Sequence, residues 1–109
     1  MRATVMALMV GLAIPAAAAA QDAKVAKGAE VYAAQKCGMC HSIGDKGNKK
    51  WPLDGVGSKL PAADIKAWMT DAKGMTAKTK ATRKPDMKSY TLPADELDAL
   101  VAYMMSLKK

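Results

Sequence analysis

Three residues stand where their chemistry can act together: Cys37 and Cys40, separated by Gly38 and Met39, with His41 immediately after them. C-x-x-C-H is the spacing for attachment of a c-type haem. Two thiols three positions apart can add to the two porphyrin vinyl groups as thioethers, and the adjacent imidazole then sits over the iron as the proximal ligand. Such a tether holds the haem even when an axial bond breaks. Other chemistries account for less of the chain. A thioredoxin-like pair needs a strand–helix context, whereas the residues before Cys37 are rich in Ala and Lys at helical spacing. A structural zinc site needs four ligands, and the whole chain holds two Cys and one His. A disulfide is the default pairing in an oxidising compartment, but it would leave the filling of a small core unexplained.

The chain of 109 residues is 50% apolar and 25% charged, which fits one globular domain and excludes collagen, coiled coil and wholesale disorder. There is no Phe, and only two Trp and three Tyr are present. Large core side chains are scarce, so a bound haem must supply much of the buried apolar surface. Net charge is +7, from 17 Lys+Arg against 10 Asp+Glu, a bias that favours acidic partners.

The elements that must position the motif begin after a leader. Arg2, the apolar stretch Ala3–Ile14, Pro15 and Ala18-Ala19-Ala20 form a secretory signal pattern, which predicts cleavage after residue 20 and a domain over residues 21–109. The apolar run is too short to span a bilayer, so no stable membrane insertion is expected after cleavage. Asp22 can cap a helix from Ala23 to about Lys36, with Val25, Ala29, Tyr32 and Ala33 on one stripe; it delivers Cys37. Residues 42–57, rich in Gly, Pro and charge, read as loop. Leu60-Pro61-Ala62-Ala63-Asp64-Ile65 and Leu92-Pro93-Ala94-Asp95-Glu96-Leu97 share one helix-start pattern, with Pro suited to the first helical position and acids at the N-terminal end. The first of these helices is expected to bury Ile65, Trp68, Met69 and Ala72 and to stop at Gly74. The second is expected to run to Leu107 with Leu97, Leu100, Val101 and Met104 on its core face. Met75 to Thr91 reads as loop, and no segment alternates as a strand. The fold class is all-α.

With Cys37-Gly38-Met39-Cys40-His41, three further segments carry a resemblance: Gly28-Ala29-Glu30-Val31-Tyr32, Pro52-Leu53-Asp54-Gly55-Val56-Gly57 and Ala99-Leu100-Val101-Ala102-Tyr103. Together they resemble the small class I c-type cytochromes, monohaem electron carriers of the bacterial periplasm. The resemblance implies three to five helices wrapped around one covalently attached haem c. It also implies that Gly28 lets the last helix cross the first closely, with Tyr32 and Tyr103 packed at the crossing. Pro52 matches the loop proline whose carbonyl accepts from the proximal imidazole.

His41 is the only His, so a second imidazole from the same chain cannot be the sixth iron ligand, which leaves a Met sulfur, a Lys amine, water or an empty position. Met75 and Met87 are the candidates that neither the signal segment, the tether nor a helix stripe explains. The family places its ligand shortly before the last helix, which favours Met87 in Lys84-Pro85-Asp86-Met87-Lys88, with Met75 as the alternative. His/Met ligation raises the potential and closes the iron to small ligands, which implies a one-electron carrier rather than an enzyme. A haem subunit of a periplasmic dehydrogenase, or an open-site haem enzyme or sensor, are the other readings, and the last lacks a distal His. Lys46, Lys49, Lys50, Lys73, Lys78, Lys80, Arg83, Lys84 and Lys88 fall in the two loops expected to flank the haem. Such a rim would steer acidic redox proteins, donor and acceptor, to a monomeric carrier. Nucleic acid is not an expected partner.

Overall fold

Apolar residues at helical spacing near both ends of the chain produce two helices that cross, and everything else hangs from that crossing. The computed structural model describes Gly11 and residues 16–109. Helix α1 covers Ala16–Ala34, followed by a short 3-10 turn over Cys37–Met39. Strands β1 (His41–Ile43), β2 (Lys46–Gly47) and β3 (Trp51–Pro52) come next, then α2 (Val56–Lys59), α3 (Ala62–Thr70), α4 (Ala72–Thr79) and α5 (Ala94–Ser106). Helices dominate, and the all-α class holds. Most of the expected signal segment lies outside the described residues; its last five, Ala16–Ala20, are exposed and helical. Among the described residues, no helix is long and apolar enough to cross a membrane.

The crossing of α1 and α5 depends on Gly28. A Cβ there would collide with the Ala99 carbonyl oxygen and lie 2.6 Å from Cβ of Tyr103, so only glycine lets the backbones approach. Beside it the Tyr32 and Tyr103 rings meet edge to face at 5.7 Å. Val31, Ile65, Met69, Leu100 and Met104 form the buried core under this crossing. Each such side chain contributes about 1.5–3 kcal/mol through the area it removes from water. The carboxy-terminal residues close the back: Leu107 accepts from the Gly57 N–H at 2.9 Å, and Lys108 Nζ donates to the Gly57 carbonyl at 2.9 Å.

Several expectations are corrected. Helix α1 starts at Ala16, so Asp22 lies inside it rather than capping it, and its buried stripe runs through Gly28 and Val31 while Ala33 is exposed. Pro61 and Pro93 stand one position ahead of the first helical residue, their carbonyls accepting from Ile65 and Leu97. Trp68 is only half-buried and lies outside the core cluster. Gly74 does not end a helix. The chain turns at Asp71 and starts α4, with Gly74 N–H donating to Asp71 Oδ1 at 3.1 Å as an N-cap bond. Residues 41–52, read as loop, form a small sheet of order β2-β1-β3, with Ser42 paired antiparallel to Gly47 and parallel to Pro52.

Candidate functional site

Helix α1 ends where Lys36 adopts the left-handed conformation at φ 56°, and the reversal throws Cys37 out of the helix into the 3-10 turn. Within that turn Met39 N–H donates to the Lys36 carbonyl at 3.1 Å and Cys40 N–H to the Cys37 carbonyl at 3.2 Å. Both thiols are unpaired, Cys37 half-buried and Cys40 exposed. Burial pushes the Cys37 thiol above its usual range, and Cys40 adds to the shift. Between them Met39 is 71% exposed, so the turn presents an apolar side chain to solvent.

A second loop is clipped onto this turn. Asn48 N–H donates to the carbonyls of both Gly38 and His41 at 3.0 Å, and Asn48 Nδ2 donates to the Met39 carbonyl at 3.1 Å. The clip requires Gly47, whose φ is +91° and whose Cβ would run into the His41 carbonyl oxygen. Underneath, Ser42 is 2% exposed and its carbonyl accepts from Leu53 N–H at 2.8 Å. The sheet thus fixes the backbone on either side of His41.

The imidazole is oriented by one bond. His41 Nδ1 lies 3.0 Å from the Trp51 carbonyl oxygen. A carbonyl only accepts, so Nδ1 carries a proton and Nε2 is the nitrogen left to face a metal. That is the arrangement a metal-binding imidazole needs. The acceptor corrects one expectation: it is the Trp51 carbonyl, one residue before Pro52, because β3 pairs in parallel register with His41 opposite Trp51. Pro52 is exposed and follows Trp51, which is 8% exposed.

The segment that carries Met87 is less regular. Met87 is half-buried in the segment between α4 and α5, beside a cavity of about 530 Å³ lined by Lys73, Thr76, Ala77, Asp86, Met87 and Lys88. Met75 is not in a loop; it sits inside α4 at 8% exposure, where packing accounts for it. Lys73 and Lys78 are likewise on α4 rather than in a loop. The segment after Met87 lies within electrostatic reach of the tether: Lys88 acts to lower the Cys37 thiol, and Tyr90, raised first by burial, is raised further by Cys37 and Cys40. Tyr32 approaches from α1. Its hydroxyl is buried with no hydrogen-bond partner among the described residues, and burial pushes it up to about 12.

The 3-10 turn and the strand after it hold Cys37, Cys40 and His41 together, and the Lys88 and Tyr90 side chains that follow Met87 interact electrostatically with the thiols. Sequence reasoning missed Trp51 as the imidazole's acceptor and Asn48 as the clip. Asn48 next to Gly47 was the available signal, since that pair marks a tight backbone reversal.

Compared with known proteins, residues 25–108 match a family model described as Cytochrome c. No curated protein and no solved structure matches the chain.

Proposed function

The chain belongs to the cytochrome c family and is a haem-based electron-transfer protein, and from that premise we propose an exported, periplasmic one-electron carrier whose haem iron takes His41 on one face and Met87 on the other. The residues fit the group. Cys37 and Cys40 are unpaired thiols on one tight turn, the neighbouring imidazole has its Nδ1 proton committed, and the buried Tyr32 hydroxyl beside Cys37 is left without a partner by the protein alone. Haem c supplies an iron that alternates between ferrous and ferric states.

The observation that carries the ligand reading is the His41–Trp51 bond, because it orients the imidazole through Nδ1 while leaving Nε2 free. Met87 complements it as a half-buried thioether in the segment whose Lys88 and Tyr90 interact electrostatically with the thiols, whereas Met75 is buried inside α4. His41 and Met87 together would leave the iron closed to small ligands, and the thioether would favour the ferrous state and so raise the potential.

Charge supports the partner class. Residues 46–50 and 73–88 hold nine of the cations and a single carboxylate, Asp86, itself 2.9 Å from Lys84 Nζ. The rest of the domain carries a slight acidic excess. A dipolar carrier of this kind orients its basic end towards acidic donor and acceptor proteins, with fast, weak and salt-sensitive encounters.

The test is the optical spectrum of the holoprotein, oxidised and reduced, in wild type, Met87→Ala and Met75→Ala. The weak sulfur-to-iron band of the oxidised protein is expected in wild type and Met75→Ala and absent in Met87→Ala. Carbon monoxide binding by the reduced wild type would instead show an open iron and end the carrier reading. Mass spectrometry of the same sample reads export directly: a chain starting at Gln21 and carrying one haem is expected. A permanent dehydrogenase subunit would co-purify with its enzyme, and a shuttle would not.

A further inference from the structure

Between α4 and α5 the chain makes no regular structure, so the position of Met87 depends on individual bonds at either side of it. Downstream, Ser89 Oγ accepts from the Ala72 N–H at 2.9 Å, and Tyr90 N–H donates to the Met69 carbonyl at 2.7 Å. Both partners belong to the corner between α3 and α4. Ala72 is fully buried there, so Ser89 satisfies an amide that water does not reach. Upstream, Lys50 Nζ donates to the Lys84 carbonyl at 3.5 Å, three residues ahead of Met87. The same ammonium lies 4.8 Å from the centroid of the Trp51 ring. Trp51 is the residue whose carbonyl holds His41.

We propose that Ser89 and Lys50 are positioning residues that clamp the Met87 segment at its two ends, Ser89 to the α3–α4 corner and Lys50 to the strand supporting His41. The proposal rests on Met87 as the sixth ligand.

Met87 stands two residues from Ser89, so once Ser89 is held the Met87 backbone stays within about 7 Å of it. The Tyr90–Met69 bond keeps the chain direction at that point and survives replacement of the Ser89 side chain. The two ends are unequal. Ser89 makes a short bond to a buried donor, whose loss strands the amide. The Lys50 contact is long and solvent-exposed, and its cation–π component is worth little outside a desolvated site. The clamp also joins the supports of the two axial residues, because Lys50 touches the His41 side and the Met87 side at once.

Imidazole titration of the oxidised holoprotein, followed by loss of the sulfur-to-iron band, reads how firmly Met87 is held. Ser89→Ala is expected to raise imidazole affinity about tenfold. Lys50→Met, which keeps the chain length and removes the charge, is expected to raise it about threefold. Ser89→Thr and Lys50→Arg should return to within about twofold of wild type, a rescue that a general loss of stability does not produce. Unchanged affinity in both Ser89→Ala and Lys50→Met overturns the clamp, as does failure of both conservative variants to restore it. Should Ser89→Ala not accumulate with haem, Lys50→Met and Lys50→Arg decide the matter alone. Loss of the band in Met75→Ala instead of Met87→Ala removes the ligand assignment and the clamp with it. Loss in Met87→Ala with wild-type imidazole affinity in both clamp variants removes the clamp only.

Discussion

The two segments that carry His41 and Met87 are built differently. Around His41 the main chain does the work: three strands, the double acceptance from Asn48 N–H, and the Leu53–Ser42 bond lock residues 38–53 with backbone groups. Around Met87 the main chain is unpaired over most of residues 81–92, and position is set by a few bonds such as those of Ser89 and Tyr90. The contrast separates two tasks. A backbone-built wall keeps the imidazole aimed whatever its side chains are, whereas a side-chain-built wall can be adjusted by single substitutions. Under the proposed ligation, the first would secure the cofactor and the second would be where ligand strength and potential are set.

The largest expected effect breaks the rigid wall. Gly47→Val places a branched side chain at φ +91° against the His41 carbonyl, which costs about 3 kcal/mol in strain before the displaced Asn48 clip is considered. Thermal unfolding of the holoprotein should show it, and an unchanged midpoint would mean the clip does not hold residues 38–48 as described. Met87→Ala does the reverse. It should abolish the sulfur-to-iron band and lower the reduction potential while the loss of half-buried packing costs only about 1 kcal/mol. Asn48→Ala comes third: it removes the Nδ2 bond to Met39 and the Oδ1 bond from Lys50 N–H, both exposed, and leaves the backbone bonds of Asn48 in place. A loss of less than about 1 kcal/mol with an unchanged spectrum is expected. A spectrum that shifts with Asn48 would mean the rigid wall also depends on side chains.

The same contrast explains what was legible in the sequence. Cys37, Cys40 and His41 were readable because covalent attachment demands those types at that spacing, and the α1–α5 crossing through the family resemblance that Gly28, Tyr32 and Tyr103 carry, whose steric reason the structure supplies. The acceptor of His41 was misplaced by one residue because a carbonyl is present at every position, and only the register of β3 selects Trp51 over Pro52. The sheet itself is two or three residues per strand, too short for alternation to show. Helix α4 was missed because Gly74, Thr76 and Thr79 are weak helix formers. Its start is stabilised by the Asp71 cap and by Ser89 from a distant segment, and the second of these has no local signature. Met87 was singled out as the candidate by elimination and, through the family resemblance, by position relative to the last helix, since nothing in its neighbours marks the bonds that hold it.

The smallest expected effect compares the walls at high pH. Tyr32, on α1 beside Cys37, is pushed up to about 12 by burial, while Tyr90, beside the Met87 segment, is raised in the same direction for the same first cause. A phenol that holds its proton more tightly folded than unfolded stabilises the fold fully below pH 10, its ordinary value, and loses that contribution as pH rises through the folded pKa. Unfolding midpoints at pH 9 and pH 11 should therefore fall less in Tyr32→Phe than in wild type, with a lesser relief in Tyr90→Phe. At neutral pH Tyr32→Phe should cost little, because its hydroxyl has no protein partner to lose. A marked loss at neutral pH would mean that the hydroxyl gains a partner once haem is attached, and that the α1 side of the tether is held by more than backbone and packing.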